Sequence, residues 1–187
     1  GGVGRMELDG LENVINELFN HVPDGKRKNK ILELFSDTYL KNNNLADATR
    51  FLVNHLFGNY GLVIVDGDDK GLKELMIPYF QKELTQSIGE KEVLKTSEKL
   101  AELNYKVQVN PRDINLFYLE ENYRERITRD ESGFTTSDGK YHFSEDEMLK
   151  ELNEYPEKFS PNVILRPLYQ EVILPNLAYI GGGGELA

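Results

Sequence analysis

Cysteine and tryptophan are absent from the 187 residues. Without cysteine there is no disulfide, no thiolate metal site and no cysteine nucleophile, which agrees with a reducing compartment. Basic charge is also scarce. Against 32 Asp and Glu stand 22 Lys and Arg, for a formal net charge of −10. That balance argues against a nucleic-acid module, because neutralising phosphates needs clustered cations. It keeps a chain soluble, and an anionic substrate would need a local basic pocket set against the global field. No apolar run approaches the roughly 20 residues that span a bilayer. No secretory signal pattern opens the chain. The three histidines, His21, His55 and His142, have no metal-ligand spacing, and no metal site is expected. His55 reads as a packed histidine on a mostly apolar helix, and no Ser-His-Asp set is visible.

What is present is a core-forming pattern. Apolar residues make up 39% of the chain, enough for one globular domain or slightly more. Helical spacing predicts helices over about 11–21, with Leu11, Val14, Ile15 and Leu18 inward, then 26–40 and 45–57. Asn42-Asn43-Asn44 reads as the stop between the last two. Leu62-Val63-Ile64-Val65 is a short, β-branched apolar run, expected to be a strand buried on both faces as in a parallel sheet. Helices are expected over 70–85 and 90–103, with strands at 105–109 and 115–119. Residues 121–143 read as a small antiparallel meander, with turn signals at Glu131-Ser132-Gly133 and Ser137-Asp138-Gly139. Arg124, Arg126 and Arg129 alternate there, so not all three share a face. Ser144-Glu145-Asp146-Glu147 matches a capping box ahead of a helix to Asn153. Pro167 opens a last helix to Leu174. Leu177-Ala178-Tyr179-Ile180 is then expected as a strand, followed by the run Gly181-Gly182-Gly183-Gly184.

The alternation of helix and buried strand predicts an α/β fold with a Rossmann-like parallel sheet flanked by helices. Residues 1–44 form a helical connecting segment in this reading. The core comprises 45–120 and 160–187, and 121–159 is an inserted meander plus helix. The opening Gly1-Gly2-Val3-Gly4 and the closing Gly184-Glu185-Leu186-Ala187 both read as cuts through a longer protein.

Four places carry candidate chemistry. The glycine run lets a backbone approach a ligand closely, and amides at a helix start can bind an anion. It is not a Walker loop, nor a full dinucleotide fingerprint, and it serves equally as a tight turn. Asp66, Asp68 and Asp69 stand where ligands bind at strand ends, with Asp66 the candidate. A solvated turn with a helix cap explains them as well, and the spacing does not fit an EF-hand. Arg166 offers a planar fork for a carboxylate or phosphate, with Asn162, Gln170 and Glu171 able to complete a polar pocket. Arg112 is a further anion-binding candidate at a strand entry. Structural ion pairs are the alternative for both arginines.

Several blocks resemble one family. These are Leu45-Ala46-Asp47-Ala48-Thr49-Arg50, residues 56–63 (LFGNYGLV), residues 111–118 (PRDINLFY) with Arg124-Glu125-Arg126-Ile127, and above all residues 159–187 (FSPNVILRPLYQEVILPNLAYIGGGGELA). They resemble the BshC family, described as the cysteine ligases of bacillithiol biosynthesis. The resemblance covers essentially the whole chain. It implies a bacterial cytoplasmic enzyme with a Rossmann-like core, homodimeric through a C-terminal coiled coil outside these residues. Family members usually carry a proline within the glycine loop, where Gly183 stands here. The implied reaction joins cysteine to the amine of glucosaminyl malate. A free carboxylate needs activation for that step, and an adenylate or acyl phosphate from ATP or another nucleotide would supply it. The resemblance leaves the co-substrate and the catalytic base open. Asn162, Arg166, Gln170, Glu171 and Gly181 to Gly184 are the expected site, with Asp66 and Arg112. Two other readings compete: another Rossmann-like nucleotide-binding transferase, and a non-catalytic scaffold.

Overall fold

The computed structural model describes residues 4–107 and 109–182. The chain divides into two units, one ending at Gly67 and one beginning at Asp68.

The first unit holds three helices: α1 (Glu12–His21), α2 (Lys28–Leu40) and α3 (Leu45–Phe57). Ile15 and Phe19, one turn apart, are the buried face of α1. Val14 and Leu18, expected inward, are exposed. Phe19 supplies the reason, because its ring meets Phe35 of α2 edge to face at 5.9 Å and so sets which side faces in. The asparagine stop divides its work. Asn42 donates to the carbonyls of Thr38 (2.8 Å) and Asp37 (3.3 Å) at the end of α2. Asn44 accepts from the Asp47 amide at 2.9 Å and so caps α3. His55 is exposed and stacks on Phe51, with ring centroids 6.4 Å apart.

Leu62 to Val65 belongs to no strand among the described residues, and Val63 is 74% exposed. The doubly buried strand expected here is therefore not found. β-branched composition favours an extended backbone, but a strand also needs a neighbour to take its N–H and C=O groups.

The second unit begins with α4 (Lys70–Glu74), α5 (Ile77–Gln86) and α6 (Ile88–Glu102). A single helix over 70–85 was expected. Pro78, in the first turn of α5, separates two: it donates no N–H and its ring would strike the carbonyl four residues back. Residues 105–107 and 109 are not strand, and Gln108 lies outside the described residues.

Five strands follow: β1 (Leu116–Glu120), β2 (Tyr123–Asp130), β3 (Gly133–Thr136), β4 (His142–Phe143) and β5 (Phe159–Pro161). Helix α7 (Glu145–Glu154) lies between β4 and β5, and α8 (Arg166–Ile173) comes last. The sheet order is β4-β3-β2-β1-β5, and every described pairing is antiparallel. This corrects the expected parallel sheet. Two-residue connections after β1 and β2 can join only antiparallel neighbours. The expected meander is present, and α7 carries the chain from one edge strand to the other.

One face of the sheet meets the core. Leu116, Tyr118, Ile127, Phe134 and Phe159 pack against Met76, Phe80 and Leu84 of α5, Met148 and Leu152 of α7, and Leu165 and Tyr169 beside α8. The capping box of α7 is complete. Ser144 Oγ accepts from the Glu147 amide, and Glu147 Oε2 accepts from the Ser144 amide (2.8 Å) and hydroxyl (2.7 Å). Ser144→Ala should cost about 1 kcal/mol in chemical denaturation; an unchanged midpoint would contradict this. The Ser144 amide and hydroxyl also hold the Glu147 carboxyl below its usual range. That contribution is present above the unfolded value, near about 4.3, and is lost as pH falls through the lower folded value.

Candidate functional site

Arg112 and Asn162, among the expected site residues, fall on a buried polar node, and Arg166, Gln170 and Glu171 on an exposed helix. At the node, the fully buried Glu83 carboxylate accepts three hydrogen bonds. They come from the Gly89 amide (2.7 Å), the Asn115 amide (2.9 Å) and Asn115 Nδ2 (2.8 Å). Glu83 lies one turn from Phe80 and beside Leu84, so the apolar face of α5 itself carries the charge inward. Gly89 suits the site because a side chain would stand 3.0 Å from both Glu83 oxygens. Asn115 relays the contact outward. Its Oδ1 accepts from the Arg112 amide (3.2 Å) and from Asn162 Nδ2 (2.9 Å), and its Nδ2 also donates to the Arg112 carbonyl (2.7 Å). Ser87, left-handed with φ 51°, bonds through its hydroxyl to Asp113. Asp113 in turn faces Arg129 Nε at 3.5 Å.

The node therefore brings together two expected residues, Arg112 and Asn162. Arg112 joins through its backbone while its side chain is exposed. Asn162 is consumed in scaffolding: its Oδ1 accepts from the Ile164 (2.9 Å) and Leu165 (3.4 Å) amides, and its carbonyl accepts from the Arg166 amide. Those bonds set Arg166 at the first position of α8. Arg166 and Gln170 are exposed, and their i, i+4 spacing puts them on one helix face. Glu171 is turned to another task. Its Oε2 accepts from the Asn176 amide (3.1 Å) and Nδ2 (3.0 Å), closing the chain behind the helix.

Of the glycine run, Gly181 and Gly182 are described, and Gly183 and Gly184 lie outside the described residues. The expected strand at 177–180 is not strand, and Leu177 and Ile180 are fully solvent-facing. The acidic turn is split between uses. Asp66 is half-buried in the first unit. Asp68 pairs with the buried Lys73 ammonium at 2.5 Å, and Lys73 also donates to the Glu157 carbonyl at 2.9 Å. Asp69 caps α4 by accepting from the Leu72 amide at 3.0 Å. The capping alternative thus holds for Asp69.

A second titratable cluster lies at the sheet edge. Lys158 Nζ stands 2.8 Å from Glu151 Oε1 and 2.9 Å from Glu120 Oε1, and the Tyr118 hydroxyl donates to Glu151 at 2.7 Å. Burial, with the Glu151 carboxylate beside it, pushes the Tyr118 phenol far above its usual value. Burial opposes the Lys158 cation, but the bonds to Glu151 and Glu120 outweigh it and hold the ammonium above its usual range. Neither group is suited to act as a base near neutral pH. No cluster of three or more His, Cys, Asp or Glu able to hold a metal occurs among the described residues. None of the described helices is long and apolar enough to cross a membrane.

Comparison with known proteins decides the family. The model described as "Bacillithiol biosynthesis BshC, N-terminal Rossmann-like domain" matches residues 1–187. The chain belongs to the BshC family. Relatives named "Putative cysteine ligase BshC" include those of Flavobacterium johnsoniae (54% identical over 187 residues), Christiangramia forsetii (46% over 185) and Bacillus cereus strain ZK / E33L (32% over 186). These alignments cover 100%, 99% and 98% of this chain but 35%, 34% and 35% of the relatives. The chain thus spans about a third of the length of the BshC relatives it matches.

Glu83 and Asn115 were not singled out in the sequence. A glutamate in register with Phe80 and Leu84 on an amphipathic helix was the available signal for the first. Asn115 had only its place after Pro111-Arg112-Asp113.

Proposed function

We propose that this chain is part of a bacterial cytoplasmic enzyme that joins the carboxylate of cysteine to the amine of glucosaminyl malate, forming an amide. The match of the BshC model to all of residues 1–187 carries this reading. The relatives' name supplies the ligase chemistry. Within it, the node of Glu83, Asn115 and Asn162 is the scaffold, and Arg166 and Gln170 are the groups presented to substrate. Asp66, Arg112 and Gly181 to Gly184 remain proposed contacts, and Glu171 acts by closing the chain behind α8. The working enzyme is a homodimer in this reading.

The test uses the full-length protein with cysteine, glucosaminyl malate and ATP, and mass spectrometry of the product. Bacillithiol should form only when both substrates are present. No product, together with no thermal stabilisation by either substrate, would sink the reading. Arg166→Ala should weaken glucosaminyl malate binding by roughly 10- to 100-fold, the loss of one charge-assisted contact. Its melting temperature should stay close to the parent's, because the side chain is exposed. Unchanged affinity would remove Arg166 from the site.

A further inference from the structure

One side of α3 and the apolar run that follows it stand open. Asp47, Arg50, Phe51 and Asn54 recur at i, i+3, i+4 and i+7, so they share one face of the helix. That face and Leu62 to Ile64 line a single cleft of about 570 Å³. All of these residues belong to the first unit. The turn between them closes at Gly61, which is left-handed at φ 78° and donates from its amide to the Gly58 carbonyl at 3.0 Å. Only glycine takes that conformation without cost, and the turn brings the run back to the helix it has just left.

The cleft presents two kinds of unmet bonding. The backbone N–H and C=O groups of Leu62 to Val65 have no hydrogen-bond partner among the described residues. Folded proteins pair such groups almost without exception. The side chains of the run are apolar and mostly β-branched, yet Leu62 and Val63 are exposed, as is Phe51 on the helix side. A run of this composition with free backbone groups recruits other chains unless something covers it.

The form of the cleft selects what covers it. Small-molecule sites enclose a ligand with a few converging polar groups. Here the free donors and acceptors succeed one another along the chain, beside apolar side chains, and a strand meets both at the same repeat. Length selects the source. The alignments cover 35% of the Flavobacterium johnsoniae and Bacillus cereus relatives, so about two-thirds of those chains lies outside the matched residues. A segment tethered to the same chain meets the cleft at an effective concentration on the order of millimolar, which a separate molecule does not reach.

We propose that the cleft beside α3 is the docking site of an apolar β-strand from the part of the BshC protein outside residues 1–187, which pairs with Leu62 to Val65 and packs on Phe51. The inference goes beyond the ligase reading and does not depend on it, and no substrate enters its test.

The test is hydrogen–deuterium exchange of the full-length protein, read by mass spectrometry. The amides of residues 62–65 should exchange at least about a hundredfold more slowly than in an unstructured peptide. That protection should survive a tenfold dilution of the protein, roughly, because a tethered strand does not dissociate. Photo-crosslinking then identifies the occupant. The variant Phe51→p-benzoylphenylalanine, made at an exposed position, should join to a peptide outside residues 1–187 of the same molecule. Exchange at the unstructured rate overturns the proposal. Protection lost on dilution assigns a second copy and overturns it too, as does a cross-link that stays within residues 1–187.

Discussion

Glu83→Leu should destabilise the second unit by about 3 kcal/mol, read from the midpoint and slope of urea denaturation. The substitution leaves the Gly89 and Asn115 amides without their acceptor. A buried donor left unpaired costs roughly 1–3 kcal/mol. Removing a buried carboxylate returns part of this, because its desolvation is no longer required. The Asn115 side chain would keep only the Arg112 carbonyl as acceptor, so its grip on Asn162 should loosen. Under the proposed ligase reading, glucosaminyl malate binding should weaken in the same variant, although Glu83 is fully buried. Glu83→Gln is the milder change. It keeps one acceptor but turns an amide donor toward groups that are already donors. If Glu83→Leu unfolds at the parent's midpoint, the node contributes no stability and the scaffold role fails.

Gly133→Ala should cost about 3 kcal/mol or more. Gly133 has φ 138°, in a region that side-chain-bearing residues avoid. An added methyl would overlap the Phe143 carbonyl oxygen and stand 3.1 Å from Ser144 Cα, both backbone atoms that cannot rotate away. Backbone strain of about 1–3 kcal/mol combines with a steric penalty of about 1–3 kcal/mol. Relief would require parting β3 from β4, which are paired at Phe134 and Phe143. Phe134 belongs to the core, so the effect should reach global stability and not only the hairpin. A melting temperature within a degree of the parent would show that this hairpin bends freely, against the geometry described here.

Much of the local structure could be read along the chain. The capping box at Ser144, the turn at Glu131-Ser132-Gly133, the helix over 45–57 and the helix expected over 90–103 and found over 88–102 depend on neighbours a few residues away. Such patterns are complete within a short window. The family could also be read, because the blocks at 45–50, 56–63, 111–118, 124–127 and 159–187 resemble BshC and the matching model spans residues 1–187. The expected site residues take different places. Arg166 and Gln170 are presented on one exposed face, while Asn162 and Glu171 are spent on holding the chain.

The sheet shows where local reading stopped. Leu62 to Val65 and Leu177 to Ile180 have strand composition, yet neither is paired among the described residues. Composition sets the preference for an extended backbone; only a neighbouring strand turns it into a ladder. Glu83 makes the same point for charge. Its place on an apolar helix face was visible, but its acceptors' partners lie at Gly89 and at Asn115, 32 residues on. The stacking of Arg124 on Phe117 likewise needed the register of β1 against β2. By itself the sequence determined most of the helices, the capping box, the hairpin turns and the family. Tertiary structure decided strand pairing, the buried carboxylate and the arginine stacked on Phe117, because each requires partners that only folding brings within a few ångströms.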